Sequence, residues 1–105
     1  MRQGKQAGGR AINPPYGLGD DPAQAETVKR IYEEFTHPYR HATLSEIANG
    51  LNLDEIPSRR GGMWHVSSVQ YVLMNPVYVS AGVVADATWQ AAQRRLQALR
   101  PGPAK

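Results

Sequence analysis

Two four-residue stretches, "DPAQ" at 21–24 and "TLSE" at 43–46, dictate most of what this chain can fold into. Each sets a side-chain oxygen at a helix N-cap and a Gln or Glu three residues on, the pattern that satisfies the free N–H groups of a first helical turn. Behind the first, Pro22 stands where a missing N–H costs nothing, and Val28, Ile31, Tyr32 and Phe35 recur at helical spacing. The spacing predicts a helix over about 22–36. His37-Pro38 ends it, because a residue before proline is pushed out of the helical region. Behind the second box, Leu44, Ile47, Ala48 and Leu51 form one apolar stripe. This helix is short, roughly two turns, and Gly50 or Asn52 closes it.

A third helix is expected over about 65–74, with Val66, Val69, Val72 and Leu73 on its inner side and Ser67, Tyr71 and Met74 on the other. Asn75-Pro76 stops it. The stretch "VYVSAGVV" at 77–84 is rich in β-branched residues and predicts a short strand. Asp86 then caps a last helix whose buried stripe is Trp89, Ala92, Leu96 and Leu99, with Gln90, Gln93, Arg94 and Gln97 facing water. Between the second and third helices, residues 53–63 are polar, with Pro57 and the pair Gly61-Gly62, and suit a tight hairpin turn with short extended arms. The expected fold is mainly α with a short β element (α+β), about four helices, the second and third forming a helix-turn-helix-like unit with an enlarged turn. Residues 1–18 read as a glycine-rich arm or linker with a "PPYG" element, 19–100 as the folded domain, and 101–105 as a disordered tail.

Composition narrows the chemistry. A chain of 105 residues supports one modest core. It has no cysteine, which excludes disulfides and a thiolate zinc site within the chain. No apolar run approaches the roughly 20 residues of a membrane span, and the polar "RQGKQAGGR" after Met1 does not resemble a secretory signal. The formal charge is +3, unevenly spread. Residues 41–57 carry Glu46, Asp54 and Glu55 and no Lys or Arg, whereas basic residues gather at both ends and at Arg59-Arg60. Such polarisation fits an anionic partner.

Catalytic and metal-binding readings do not survive the spacing. His37 and His41 are four apart, a metal-binding interval only on a helix, and Pro38 lies between them. A serine nucleophile needs a base and a group that orients the base, and "HVSS" at 65–68 is better explained as a first helical turn. The stretch "RRGGMW" lacks the spread glycines and the Lys-Ser/Thr of a phosphate loop, and its bulky Met63 and Trp64 would fill the cradle. Gly61-Gly62 therefore reads as a turn and Trp64 as core. No catalytic residue, metal site or cofactor is expected. What remains is a helix with small or hydrogen-bonding residues on its first turns, Ser67, Ser68, Gln70 and Tyr71, flanked by Arg59 and Arg60. A helix entering a major groove needs that combination; a solvated face with ordinary surface arginines is the competing reading.

Four pieces occur in an order and spacing that resemble the recombinase domain of large serine recombinases, the phage-type serine integrases: "GGRAINPPYGL" at 8–18, "AETVKRIYEEF" at 25–35, "TLSEIANGLN" at 43–52 and "MWHVSSVQYVLMNPVY" at 63–78. "VADATWQAAQRRL" at 84–96 is similar to the helix that follows this domain in many of them. The resemblance implies a DNA-binding module of a site-specific recombinase, bacterial or phage-encoded and cytoplasmic, joined in the full-length enzyme to a catalytic domain and a zinc-ribbon domain. It implies that this chain binds one attachment-site half-site of double-stranded DNA, as a monomer, without cutting it. Carried over by position, Lys5 and Arg10 lie on a minor-groove arm, and His65, Ser67, Ser68, Gln70 and Tyr71 at the start of the reading helix. Trp64, Val69, Leu73 and Tyr78 fall in the core. His65 departs from the family's usual Ser or Thr cap and is expected to cap less well, by about 1 kcal/mol, while being free to reach a phosphate or base edge. The "YVSAGVVAD" region is also shorter than the family's hairpin. A stand-alone winged-helix-like regulator and a protein-interaction module are the alternatives.

Overall fold

The computed structural model describes residues 15–59 and 61–99. Five helices run in order: α1 (Pro22–Thr36), α2 (Leu44–Leu53), α3 (Val66–Met74), the single turn α4 (Val77–Ser80) and α5 (Asp86–Leu99). Among the described residues there is no strand. The fold is thus mainly α, as expected, but without its β element and with one helix more than anticipated.

Helix α1 starts and stops at the residues its sequence signals. Asp21 Oδ1 accepts from Ala23 N–H at 2.9 Å, and Pro22 occupies the first turn. The second half of the expected capping box is absent, because Gln24 Oε1 instead accepts the N–H of Gly17 at 3.0 Å. This ties the Tyr16-Gly17 stretch to α1. Gly17 has φ +90°, and a Cβ there would sit 2.8 Å from Val28 Cγ2, so glycine is required on both counts. At the other end His37 leaves the helical region, and its Nδ1 accepts from the N–H groups of Tyr39 and Arg40 at 3.1 and 3.0 Å.

In α2 the capping box is complete: Glu46 N–H donates to Thr43 Oγ1 at 3.0 Å and Thr43 N–H to Glu46 Oε1 at 2.9 Å. Neither Gly50 nor Asn52 closes this helix. It runs to Leu53, and the left-handed residue beyond it is Glu55, at φ +58°. Glu55 N–H donates to the Asn52 carbonyl and Ile56 N–H to the Leu51 carbonyl, both at 3.0 Å, the paired bonds of a Schellman ending. Gly50 serves a different purpose, since a Cβ there would lie 3.3 Å from the Arg30 guanidinium. Arg30 passes over it to pair with Glu34 at 2.8 Å and Asp54 at 2.7 Å, joining α1 to the end of α2.

The core lies where α1 meets α2, α3 and α5, with α2 against α3 and α3 against α5. Val28, Ile31, Phe35, Ile47, Leu51, Val69, Leu73 and Tyr78 are fully excluded from solvent, and Trp64 nearly so. Each buried phenol is satisfied by donating to backbone carbonyl oxygen. Tyr32 OH donates to the Val72 and Leu73 carbonyls, 2.8 and 3.1 Å away, and Tyr78 OH to the Tyr16 carbonyl. Burial pushes the Tyr32 phenol well above its ordinary range, with the Tyr78 phenol adding to the shift. Tyr78 is pushed up to about 12, by burial first and by the Tyr71 phenol second.

The segment expected as a strand is α4 and the turns after it. Asn75 Oδ1 accepts Val77 N–H at 3.0 Å, Pro76 is already in the helical region, and Tyr78 follows directly into the core. The Tyr78 carbonyl then accepts from both Val83 and Val84, with Gly82 at φ +78° making the turn. β-Branched residues favour a pleated surface only where another strand offers one, and none of the described residues does.

Helix α5 departs from its expected stripe in three places. Ala92 and Leu96 are buried and Trp89 is partly so, but Leu99, in the last turn, is exposed. Gln93, expected in water, donates from Nε2 to the Leu73 carbonyl at 2.6 Å. Arg95 lies 4.4 Å from the centre of the Phe35 ring and donates to the Phe35 and Ala42 carbonyls at 2.7 and 3.0 Å. It thereby satisfies a free carbonyl in the last turn of α1.

Candidate nucleic-acid interface

The connection from α2 to α3, residues 54–65, is short of regular structure yet closely held. Ser58 N–H donates to the Gly62 carbonyl at 3.0 Å and Gly61 N–H to the Ser58 carbonyl at 2.8 Å, closing a turn that needs the positive φ of Gly61, +83°. The turn is as expected; no extended pair flanks it among the described residues.

Trp64 anchors the end of this connection. Its N–H donates to Asn52 Oδ1 at 2.7 Å and its carbonyl accepts from Asn52 Nδ2 at 2.9 Å. The indole N–H donates to the Ile56 carbonyl at 3.0 Å, and the ring meets Tyr16 edge to face with centroids 5.2 Å apart. Tyr16 in turn donates to the Pro57 carbonyl at 3.3 Å. The tryptophan is therefore a core residue, and the backbone leaving it starts α3 in a fixed direction.

The His65 imidazole makes no capping bond. The helix is capped from the opposite side: Ser68 Oγ accepts His65 N–H at 2.8 Å and donates to the His65 carbonyl at 2.9 Å. Ser68 is committed to the backbone, while the imidazole and the Ser67 hydroxyl face outward.

Arg59, His65, Ser67, Ser68 and Tyr71 surround one open hollow of about 590 Å³, floored by Tyr16, Trp64 and Val72 and edged by Met63. No carboxylate lines it among the described residues. Arg59 is exposed and makes no ion pair among the described residues, unlike Lys29 and Arg30, each of which does. Gln70, half-buried, is not part of the hollow and stands on the other flank of the α3 face that carries Ser67, Tyr71 and Met74. Lys5, Arg10 and Arg60 lie outside the described residues. Among the described residues no group of His, Asp and Glu is placed to hold a metal ion, and no helix is long and apolar enough to cross a membrane.

Two residues, Asn52 at this surface and Arg95 at the end of α1, have long-range roles that were not read from the sequence. Asn52 is assigned there to helix termination, and nothing local signals its partner 12 residues on. Arg95 stands beside the buried positions Ala92 and Leu96, and that placement is the signal for an inward-lying arginine stem.

A family model described as Recombinase matches residues 22–83, from the first residue of α1 to the turn beyond α4. No curated protein and no solved structure matches the chain. A match over more than half of these 105 residues, on helices that pack into one core, decides the family: the chain belongs to the Recombinase domain family, the domain found in large serine recombinases.

Proposed function

We propose that this domain binds double-stranded DNA and recognises one half of an attachment site for a site-specific serine recombinase. Family membership gives it a role in site-specific recombination. The observation that carries the finer reading is the surface around the hollow: Arg59, without an ion-pair partner among the described residues, and an outward His65, Ser67 and Tyr71, with no carboxylate among the described lining residues. A polyanion is attracted to such a surface, and a helix with small side chains at its start enters a major groove. In this reading Arg59 neutralises a phosphate, α3 lies in the groove, and α2 with the 54–65 connection braces it as an enlarged helix-turn-helix. The catalytic serine and the zinc ribbon belong to neighbouring domains of the recombinase, and Lys5, Arg10 and Arg60 add phosphate contacts.

The test is a salt series of duplex binding by the 105-residue chain. Binding should fall linearly on a log–log scale, with a slope of about −0.9 for each phosphate neutralised. Binding that ignores salt, or no binding to any duplex at low salt, overturns the reading.

A further inference from the structure

Helix α3 carries no Asp, Glu, Lys, Arg or Asn at any of its 9 positions, Val66–Met74. Of its polar side chains, Ser68 is consumed by the cap. That leaves Ser67, Gln70 and the Tyr71 hydroxyl for base edges. A guanine is read most often by Arg or Lys and a cytosine amine by Asp or Glu, so neither common route to a G·C pair starts from this helix.

The outer face is instead apolar. Of the 7 large hydrophobic residues exposed among those described, 4 lie on α3 or just before it: Met63 at 66%, Val66 at 43%, Tyr71 at 64% and Met74 at 53% exposure. Tyr71 and Met74 share the face of Ser67, and Met63 joins Tyr71 at the hollow. Nothing in the core requires these side chains, and exposed apolar area clustered at one place marks a contact surface. The occupant is set by charge, since among the described residues the same rim offers Arg59 and no carboxylate. On the major-groove edge of DNA the one apolar group is the C5-methyl of thymine.

Resting on the DNA reading above, we propose that α3 recognises its half-site chiefly through thymine methyl groups packed against Met63, Tyr71 and Met74, so that the preferred site is rich in T·A pairs where α3 lies. Gln70 supplies the complementary hydrogen bonds to adenine.

The experiment selects duplexes from a pool with a randomised centre using the 105-residue chain, then synthesises the most enriched duplex in two forms, with thymine and with deoxyuridine. Uracil keeps every hydrogen-bonding group of thymine and loses only the methyl. The uracil form should bind about fourfold more weakly for each methyl in contact, the worth of one buried methylene. The penalty should shrink in Tyr71→Ala and in Met63→Ala, each by the methyl contacts its side chain makes, and both side chains lie outside the core. If the enriched duplex binds equally in both forms, methyl readout is overturned while DNA recognition stands. If the penalty persists undiminished in both variants, the methyls are not read by this face and the proposal falls. If no duplex is enriched or bound, the DNA reading itself fails and takes the inference with it.

Discussion

Asn52 and Trp64 exchange two hydrogen bonds, the side-chain amide of one closing on both backbone groups of the other at 2.7 and 2.9 Å. The last turn of α2 thereby sets where α3 begins. Replacing Asn52 by Ala leaves a part-buried N–H and carbonyl without partners, and should cost about 1–3 kcal/mol in denaturant unfolding. Amide exchange in the first turn of α3 should rise in parallel. A stable variant with unchanged exchange would show that Trp64 is held by its ring alone.

Arg59→Ala should weaken binding to all duplexes alike and lower the magnitude of the log–log salt slope by about 1. An unchanged slope removes Arg59 from the phosphate contacts.

Gln70→Ala should cost about 1–3 kcal/mol on a preferred duplex and little on a scrambled one. Equal losses on both would mean that Gln70 does not read bases.

Glu55 holds a left-handed backbone with a side chain attached. Such a conformation costs an L-residue about 1–2 kcal/mol relative to a position glycine accepts freely. Glu55→Gly should therefore raise stability, by about 0.5–1 kcal/mol once the greater freedom of glycine in the unfolded chain is deducted. The shift in denaturation midpoint measures it.

The buried phenols predict an alkaline limit. Tyr32 and Tyr78 both have folded values raised above the ordinary 10.0, Tyr78 to about 12, with burial the leading cause in each. Above pH 10 the unfolded chain releases these protons while the folded chain keeps them. The stabilisation is complete below about pH 10 and is lost as pH rises towards about 12. Denaturation midpoints should fall steeply across that window, and Tyr32→Phe should make the fall shallower. A curve that the variant leaves unchanged would show that other groups govern alkaline unfolding.

The elements that the sequence disclosed are those whose signals are local. Asp21-Pro22 and the box at Thr43 and Glu46 mark helix starts through atoms two or three residues apart, and the stripes behind them are buried as their period requires. Trp64, Val69 and Leu73 were legible as core for the same reason, whereas Tyr78 was placed there by the family resemblance alone. Long-range contacts decided what was not legible. Tyr78 is drawn inward by a carbonyl 62 residues away and carries "VYVS" into a helical turn despite its β-branched composition. Gln24 was assigned to its own cap and serves Gly17; Glu55 occupies the αL position expected of Gly50 or Asn52. For the surface, the turn and the outward face of α3 were readable, but the pairing of Asn52 with Trp64 was not, because a side-chain amide carries no mark of its partner.

The reversed cap of α3 bears on how this domain can change over time. Because Ser68 holds the start of the helix from within, the exposed side chain at position 65 is left at the rim of the hollow. A Ser or Thr there would be partly occupied with the backbone, and exchanging it would weaken the helix. With the cap moved one turn inward, residue 65 can be exchanged with both bonds of the cap still in place, and under the DNA-binding reading proposed above a change of target at this position does not draw on the helix cap.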